Sequence, residues 1–82
     1  MFENDNFILT KHWLFGIKIK DKTNTFKFDV NTLKEIGTSN EVYKVTVIQK
    51  DKYGFKQTRN LRPYDYIENI EGIIREVENL YF

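Results

Sequence analysis

The chain lacks cysteine and has one histidine and one proline among its 82 residues. Without cysteine it can form neither disulfides nor thiolate metal sites, which fits a reducing compartment, so we expect a cytoplasmic protein. His12 and Ser39 are the single histidine and the single serine, and no motif around them indicates Ser-His-Asp catalysis. The four glycines are isolated from one another, so there is no glycine-rich phosphate loop. The inventory therefore predicts no enzyme, no metal and no cofactor.

Long apolar runs are also missing. The longest clean ones, residues 7–9 and 13–15, are far too short to cross a bilayer. Glu3 and Asp5 stand where a secretory signal would carry basic residues. We therefore expect no association with membranes. The abundance of Lys, Asn and Ile indicates an AT-rich genome, such as that of a low-GC bacterium or one of its phages.

The last five residues, Glu-Asn-Leu-Tyr-Phe at 78–82, resemble most of a protease recognition site used to remove purification tags. They are interpreted as a remnant of an expression tag, which leaves residues 1–77 as a single α+β domain. A domain of this size buries only ~60–65% of the surface that its unfolded chain exposes, so modest stability is expected.

Apolar and polar residues alternate at every second position in several segments, which predicts β-strands. One hairpin is expected at residues 13–20 and 26–30, and a second at residues 42–50 and 55–61. A further short strand is expected at residues 7–10. The alternation is poor in residues 55–61, which favours an edge strand or a bulge there.

Two helices are expected after the hairpins. Asn31 can cap a short helix over residues 31–36, and Gly37 can end it. Pro63 suits the first position of a longer C-terminal helix. Its apolar stripe recurs at helical spacing: Ile67, Ile70, Ile74 and Val77. The predicted fold class is α+β in ββαββα order, a four-stranded antiparallel sheet covered on one face by the C-terminal helix.

The two halves share a tripeptide, Lys-Asp-Lys, at residues 20–22 and again at 50–52. In both halves it stands where the hairpin is expected to turn, and a predicted helix follows the second strand. A duplicated ββα unit is therefore one interpretation of the chain.

Charge is distributed unevenly along the chain. Residues 11–62 contain twelve Lys and Arg against five acids, whereas residues 63–77 contain one Arg against four acids. If the apolar residues of the strands face the helix, alternation places the basic ones on the opposite face. The predicted binding face consists of Lys18, Lys20, Lys27, Lys44, Lys50, Lys56 and Arg62, with Tyr53 at a hairpin tip.

Two functional hypotheses fit this pattern, and a third, a minimal hydrolase, has no motif to support it. The first is a non-enzymatic binding module, an accessory or inhibitor protein of a phage or mobile element, which meets a protein partner through the edge strand at 55–61 or the acidic helix. The alternative is a protein that binds single-stranded DNA or RNA through the lysine-rich face. A homodimer formed through an unprotected edge strand is also open.

Overall fold

The computed structural model describes residues 1–12, 14, 16–62 and 66–81, and within them the chain forms six β-strands followed by one α-helix. The strands are β1 (Phe2–Glu3), β2 (Phe7–His12), β3 (Gly16–Asp21), β4 (Phe26–Lys34), β5 (Glu41–Lys50) and β6 (Lys56–Asn60). The helix α1 spans Ile70–Glu78 and runs into a 3-10 turn at Asn79–Tyr81. The prediction of antiparallel sheet with a C-terminal helix is confirmed.

The strands form two three-stranded antiparallel sheets, in the orders β1-β2-β3 and β4-β5-β6. The expected four-stranded sheet and the ββαββα order are therefore wrong. β3 and β4 run close to each other, but no ladder joins them in the described part of the chain. The first sheet contains two strands that precede β3. Alternation predicted part of β2, at residues 7–10, but it did not predict β1, which is only two residues long. β6 is an edge strand, as predicted.

The helix expected over residues 31–36 is absent, because β4 continues through Lys34. Asn31 pairs with Lys44, and Leu33 pairs with Val42 on the neighbouring strand. A helix of fewer than two turns has a costly nucleus, whereas each residue added to the hairpin gains a partner on β5. Gly37 has φ +82°, the left-handed conformation expected of it, but it adopts it in the turn of this hairpin. The first half is therefore not a ββα unit.

One core joins both sheets and the helix. Its buried residues come from every large element: Phe7, Leu9, Ile17, Phe28, Tyr43, Val45, Val47, Ile67, Ile73 and Val77. Trp13 and Phe15, two apolar residues of the strand predicted over residues 13–20, lie outside the described residues. Strand alternation thus identified most of the second sheet's contribution, while Phe7 and Leu9 came from a strand predicted only as short.

The C-terminal helix begins later than predicted. Asn69 is its N-cap, with the Asn69 Oδ1 accepting a hydrogen bond from the Gly72 amide at 2.8 Å; Pro63 lies outside the described residues. Ile67 precedes the helix and pairs with Tyr43 through two backbone hydrogen bonds of 2.8 Å. Within α1 the most buried residues are Ile73 and Val77. The buried face of the helix is therefore centred on Ile73 and Val77, of which only Val77 belongs to the predicted apolar stripe.

The turn between β3 and β4 is built on a buried carboxylate. Asp21 is 5% exposed. Its Oδ1 accepts hydrogen bonds from the Thr23 amide at 3.0 Å, the Thr23 hydroxyl at 2.7 Å and the Tyr81 hydroxyl at 2.7 Å. Its Oδ2 accepts from the amides of Thr25 at 2.8 Å and Phe26 at 2.7 Å. The 3-10 turn is thereby tied to the place where the two sheets meet.

These contacts set the pKa values of both partners. Burial alone would raise the pKa of Asp21, but the hydrogen bonds from Tyr81, Phe26 and Thr23 outweigh it, and the pKa lies below the ordinary 3.8. Burial and the adjacent Asp21 carboxylate raise the pKa of the Tyr81 phenol well above its ordinary value of 10.0. The pair is therefore a neutral phenol donating to a charged carboxylate.

The turn between β5 and β6 repeats this design. Asp51 Oδ1 accepts hydrogen bonds from the amides of Tyr53 and Phe55, both at 2.9 Å. Asp21 and Asp51 thus both bind the amides two and four residues further along the chain. What the two Lys-Asp-Lys sequences share is this Asp-centred turn.

Candidate functional site

The predicted lysines lie on the outer surfaces of the two sheets. We call six of them the basic face: Lys18, Lys20, Lys27, Lys44, Lys50 and Lys56, all of which are exposed. Their positions follow from strand alternation, since Phe28, Val45 and Val47 point the other way into the core. The face spans both sheets, which the prediction of a single sheet did not foresee.

Three members of the basic face meet where β3 passes β4. Lys18, Lys20 and Lys27 line a groove of about 760 Å³ between the two sheets. Its walls also carry Ile8, Thr10, Ile19, Phe26 and Asp29, among others. The groove exists because the two strands lack a connecting ladder, so that their side chains leave a channel that a continuous sheet would close.

Two other members, Lys50 and Lys56, face each other at the start of the β5–β6 turn. Between them, Tyr53 is 74% and Phe55 is 71% exposed. The Lys52 ammonium lies 5.1 Å from the centre of the Tyr53 ring, a cation–π distance. We call residues 50–56 the basic hairpin tip. Sequence reasoning selected Tyr53 for the binding face but not Phe55.

The remaining predicted residues lie away from these two clusters. Lys44 pairs with Asn31 near the middle of β5. Arg62 follows β6 and lines a hollow of about 540 Å³ at the far end of the second sheet, beside Leu33 and Tyr66. The structure therefore brings Lys18, Lys20 and Lys27 into one groove and pairs Lys50 with Lys56, but it places Arg62 with a different surface.

That surface, which sequence reasoning missed, is an exposed apolar cluster. We call it the apolar end: Leu33, Ile36, Val42 and Tyr66. Ile36 is 99% exposed, Tyr66 is 48% exposed and Leu33 is 45% exposed. The sequence placed Leu33 and Ile36, three residues apart, in the short helix predicted over residues 31–36. The signal that could have found them is the run of turn-forming residues at 37–40, which suits a hairpin as well as a helix end.

Acidic residues border the apolar end. A second hollow, of about 780 Å³, is lined by Glu35, Glu41, Glu68 and Glu71 together with Lys11 and others. Glu35 and Glu68 also line the hollow of the apolar end, so the two are continuous. Burial and the nearby Glu41 raise the pKa of Tyr43, whose hydroxyl donates to Glu41 Oε2 at 3.3 Å. We call Glu35, Glu41, Glu68 and Glu71 the acidic rim.

The two ends of the molecule thus differ in charge and in chemistry. The basic hairpin tip and the apolar end lie at opposite ends of β5, whose ten residues span ~30 Å. The molecule itself measures 45 × 25 × 24 Å. A partner attracted to one end is therefore separated from the other by most of the length of the protein.

No group of three or more potential metal ligands forms among the side chains of the described residues. No helix in the described ranges has the length and apolar character needed to cross a bilayer. The chain was also compared with known proteins, and neither a family model, nor a curated protein, nor a solved structure matches it.

Proposed function

We propose that the protein is a non-enzymatic binding module whose apolar end docks on a protein partner. The observation that carries this proposal is the 99% exposure of Ile36, with Leu33 and Tyr66 beside it. Single exposed apolar residues are common, but a contiguous apolar cluster bordered by charge is characteristic of interaction sites. Covering a fully exposed Ile contributes ~1.5–3 kcal/mol, which makes Ile36 the natural anchor.

The turn that presents Ile36 is held by its own hydrogen bonds. The Glu35 amide donates to the Asn40 carbonyl at 2.9 Å, and the Thr38 amide donates to the Glu35 carbonyl at 3.2 Å. The Asn40 amide also donates to Thr38 Oγ1 at 3.2 Å. An anchor on an ordered turn loses little conformational entropy on binding, which leaves more of the burial energy for affinity.

The acidic rim indicates the chemistry of the partner. The four glutamates of the acidic rim outnumber the three basic residues that line the same two hollows, Lys11, Lys34 and Arg62. A partner segment that combines apolar residues with Lys or Arg would satisfy both parts of this surface. Basic residues would accelerate association, and the apolar contact would hold the complex together.

A module of this kind acts by occupying a surface of its partner. This is the behaviour of an accessory or inhibitor protein, and the composition of the chain fits an origin in a phage or mobile element. The edge of β6 offers a second route to the same end, since a partner strand could extend the sheet there. The apolar end is preferred because Lys56 and Arg59 discourage pairing along β6.

Selection from a displayed random peptide library tests the proposal. We expect enrichment of peptides that combine apolar residues with Lys or Arg, and at least a tenfold loss of affinity for the best peptide in the Ile36→Asp variant. Tyr53→Asp is the matched control, because it places the same charge on an exposed residue at the other end of β5. Enriched peptides that bind Ile36→Asp as tightly as the unaltered protein would refute the assignment. Light scattering of both variants reports whether a homodimer uses this surface instead.

A further inference from the structure

We propose that the basic face and the basic hairpin tip together form a second binding site, which takes single-stranded nucleic acid. This inference does not depend on the apolar end, which lies at the opposite end of β5 and is bordered by the acidic rim. It rests on three features of the molecule: the charge of the outer sheet surface, the exposed rings at the tip, and the path between them.

The outer surface of the two sheets carries the six exposed lysines of the basic face. Two carboxylates, Asp21 and Asp29, also line the groove. Asp21 is buried and accepts five hydrogen bonds around its turn, so Asp29 is the exposed one of the two. Lys20, Lys27, Lys50 and Lys56 form no ion pair with another residue that the structure describes. Their ammonium groups are therefore available to neutralise phosphates and to release the counterions that a nucleic acid carries.

The exposed rings give the site a second kind of contact. Tyr53 and Phe55 lie between Lys52 and Lys56 in the sequence. They stand at a tip whose backbone is held by Asp51. The Asp51 amide also donates to the Phe55 carbonyl at 2.9 Å, which closes the turn. An aromatic ring on an ordered turn presents its face to an unpaired base without a large loss of freedom.

The register of the strands connects the two features. Lys27 pairs with Ile48, which lies two residues before Lys50 on the same face of β5. Neighbouring strands are ~4.8 Å apart and successive residues ~3.4 Å apart, so the step from Lys56 on β6 to Lys27 on β4, two strands across and two residues along, covers ~12 Å. Beyond Lys27 the groove between the sheets continues to Lys18 and Lys20. The positive charges thus follow one path across the sheets from the tip to the groove.

The rings favour a single strand over a duplex. In a duplex the flat faces of the bases are covered by their neighbours, so Tyr53 and Phe55 could contact only the backbone and the base edges in the grooves. In a single strand each base offers a face on which a ring can stack, whatever the sequence. We therefore expect weak dependence on sequence and a clear preference for unpaired strands.

Fluorescence anisotropy with a labelled twenty-nucleotide thymidine oligomer and with a labelled duplex of the same length tests this site. We expect tighter binding of the single strand and an affinity that falls steeply with added salt. Tyr53→Ala and Phe55→Ala should each weaken binding of the single strand by about fivefold or more and leave the duplex unchanged. Circular dichroism verifies that each variant remains folded.

Charge reversals provide the matched control. Lys27→Glu and Lys50→Glu should weaken binding and flatten the salt dependence, whereas Lys34→Glu, which makes the same charge change outside the basic face, should have less effect. Equal effects of Lys50→Glu and Lys34→Glu would overturn the site. So would absence of binding at low salt, equal affinity for the duplex with unchanged binding by Tyr53→Ala, or competition by polyglutamate as effective as that by unlabelled oligomer. The Ile36→Asp variant should bind the oligomer normally, so failure of one surface is distinguishable from failure of the other.

Discussion

Removing one hydroxyl from the 3-10 turn should destabilise the whole protein. Tyr81→Phe deletes the donor that lies 2.7 Å from Asp21 Oδ1 and leaves the ring in place. That ring stacks on Phe7 at 6.3 Å between centroids and meets the edge of Phe26 at 5.5 Å. The substitution therefore isolates a hydrogen bond to a buried charge from the aromatic packing around it.

The structure sets the size of the effect. A hydrogen bond to a charged group contributes ~1.5–3 kcal/mol. Asp21 keeps its other four hydrogen bonds, from Thr23, Thr25 and Phe26, so the carboxylate is not left without partners. The free energy of unfolding should therefore fall by an amount at the lower limit of this range, about 1.5 kcal/mol. In a domain of this size that corresponds to a fall in melting temperature of roughly 6–12 °C.

The effect should depend on pH in a defined direction. The pKa of Asp21 is lowered by folding, so its contribution is present above the ordinary pKa of 3.8 and is lost as the pH falls through the lower folded value. The pKa of Tyr81 is raised, so its contribution is present below 10.0 and is lost as the pH rises through the folded value. The difference between the two proteins should be constant around neutral pH and shrink at both extremes.

Urea unfolding followed by circular dichroism measures this difference. With a denaturant dependence of ~1 kcal/mol per molar urea, the midpoint of Tyr81→Phe should fall by about 1.5 M at pH 7. Phe7→Leu at the same contact serves as a packing control, because its loss should not vary with pH. A change below about 0.3 kcal/mol for Tyr81→Phe would refute the reasoning, because it would show that the hydrogen bond to Asp21 adds nothing measurable to stability.

Three further predictions concern turns and helix ends. Gly72→Ala should lower the free energy of unfolding by about 1 kcal/mol in urea, although alanine favours helices, because the added Cβ would lie 2.9 Å from Cγ2 of the buried Ile67; a more stable variant would contradict this packing. Asn69→Ala removes the helix cap and should cost about 1 kcal/mol by the same measurement, whereas Asn69→Asp keeps the capping oxygen and should cost less; equal losses would contradict the role of the cap. Asp51→Ala should accelerate hydrogen exchange at the Tyr53 amide while leaving the Thr23 amide unchanged, and unchanged exchange at both would show that the turn holds without its carboxylate.

Sequence patterns predicted the strands better than their arrangement. Alternation identified the inward-facing residues of β4 and β5 because one face of an antiparallel strand must reach the core. It could not show that β3 and β4 belong to separate sheets, since the residues of a strand do not encode which neighbour it bonds to. Gly37 adopts the left-handed conformation that was expected of it. Asn31 does not cap a helix, because the long pairing of β4 with β5 extends the strand through that position.

The candidate surfaces also differ in how far the sequence could predict them. Alternation put Lys27, Lys44 and Lys50 on an exposed face, which needs only the period of a strand. The apolar end required knowledge that β4 and β5 extend beyond the core, because only then does Ile36 lie in solvent. The role of the basic face remains a prediction, since exposure of a lysine does not identify what it binds.

The order of the elements along the chain also affects how the protein folds. Within each sheet every strand pairs with its neighbour in sequence, so both sheets form from local contacts that need no long loop to close. Ile73, Val77 and Tyr81, which cover the shared core, come last. The two sheets can therefore form early, but their apolar faces stay uncovered until the helix and the 3-10 turn have docked on them.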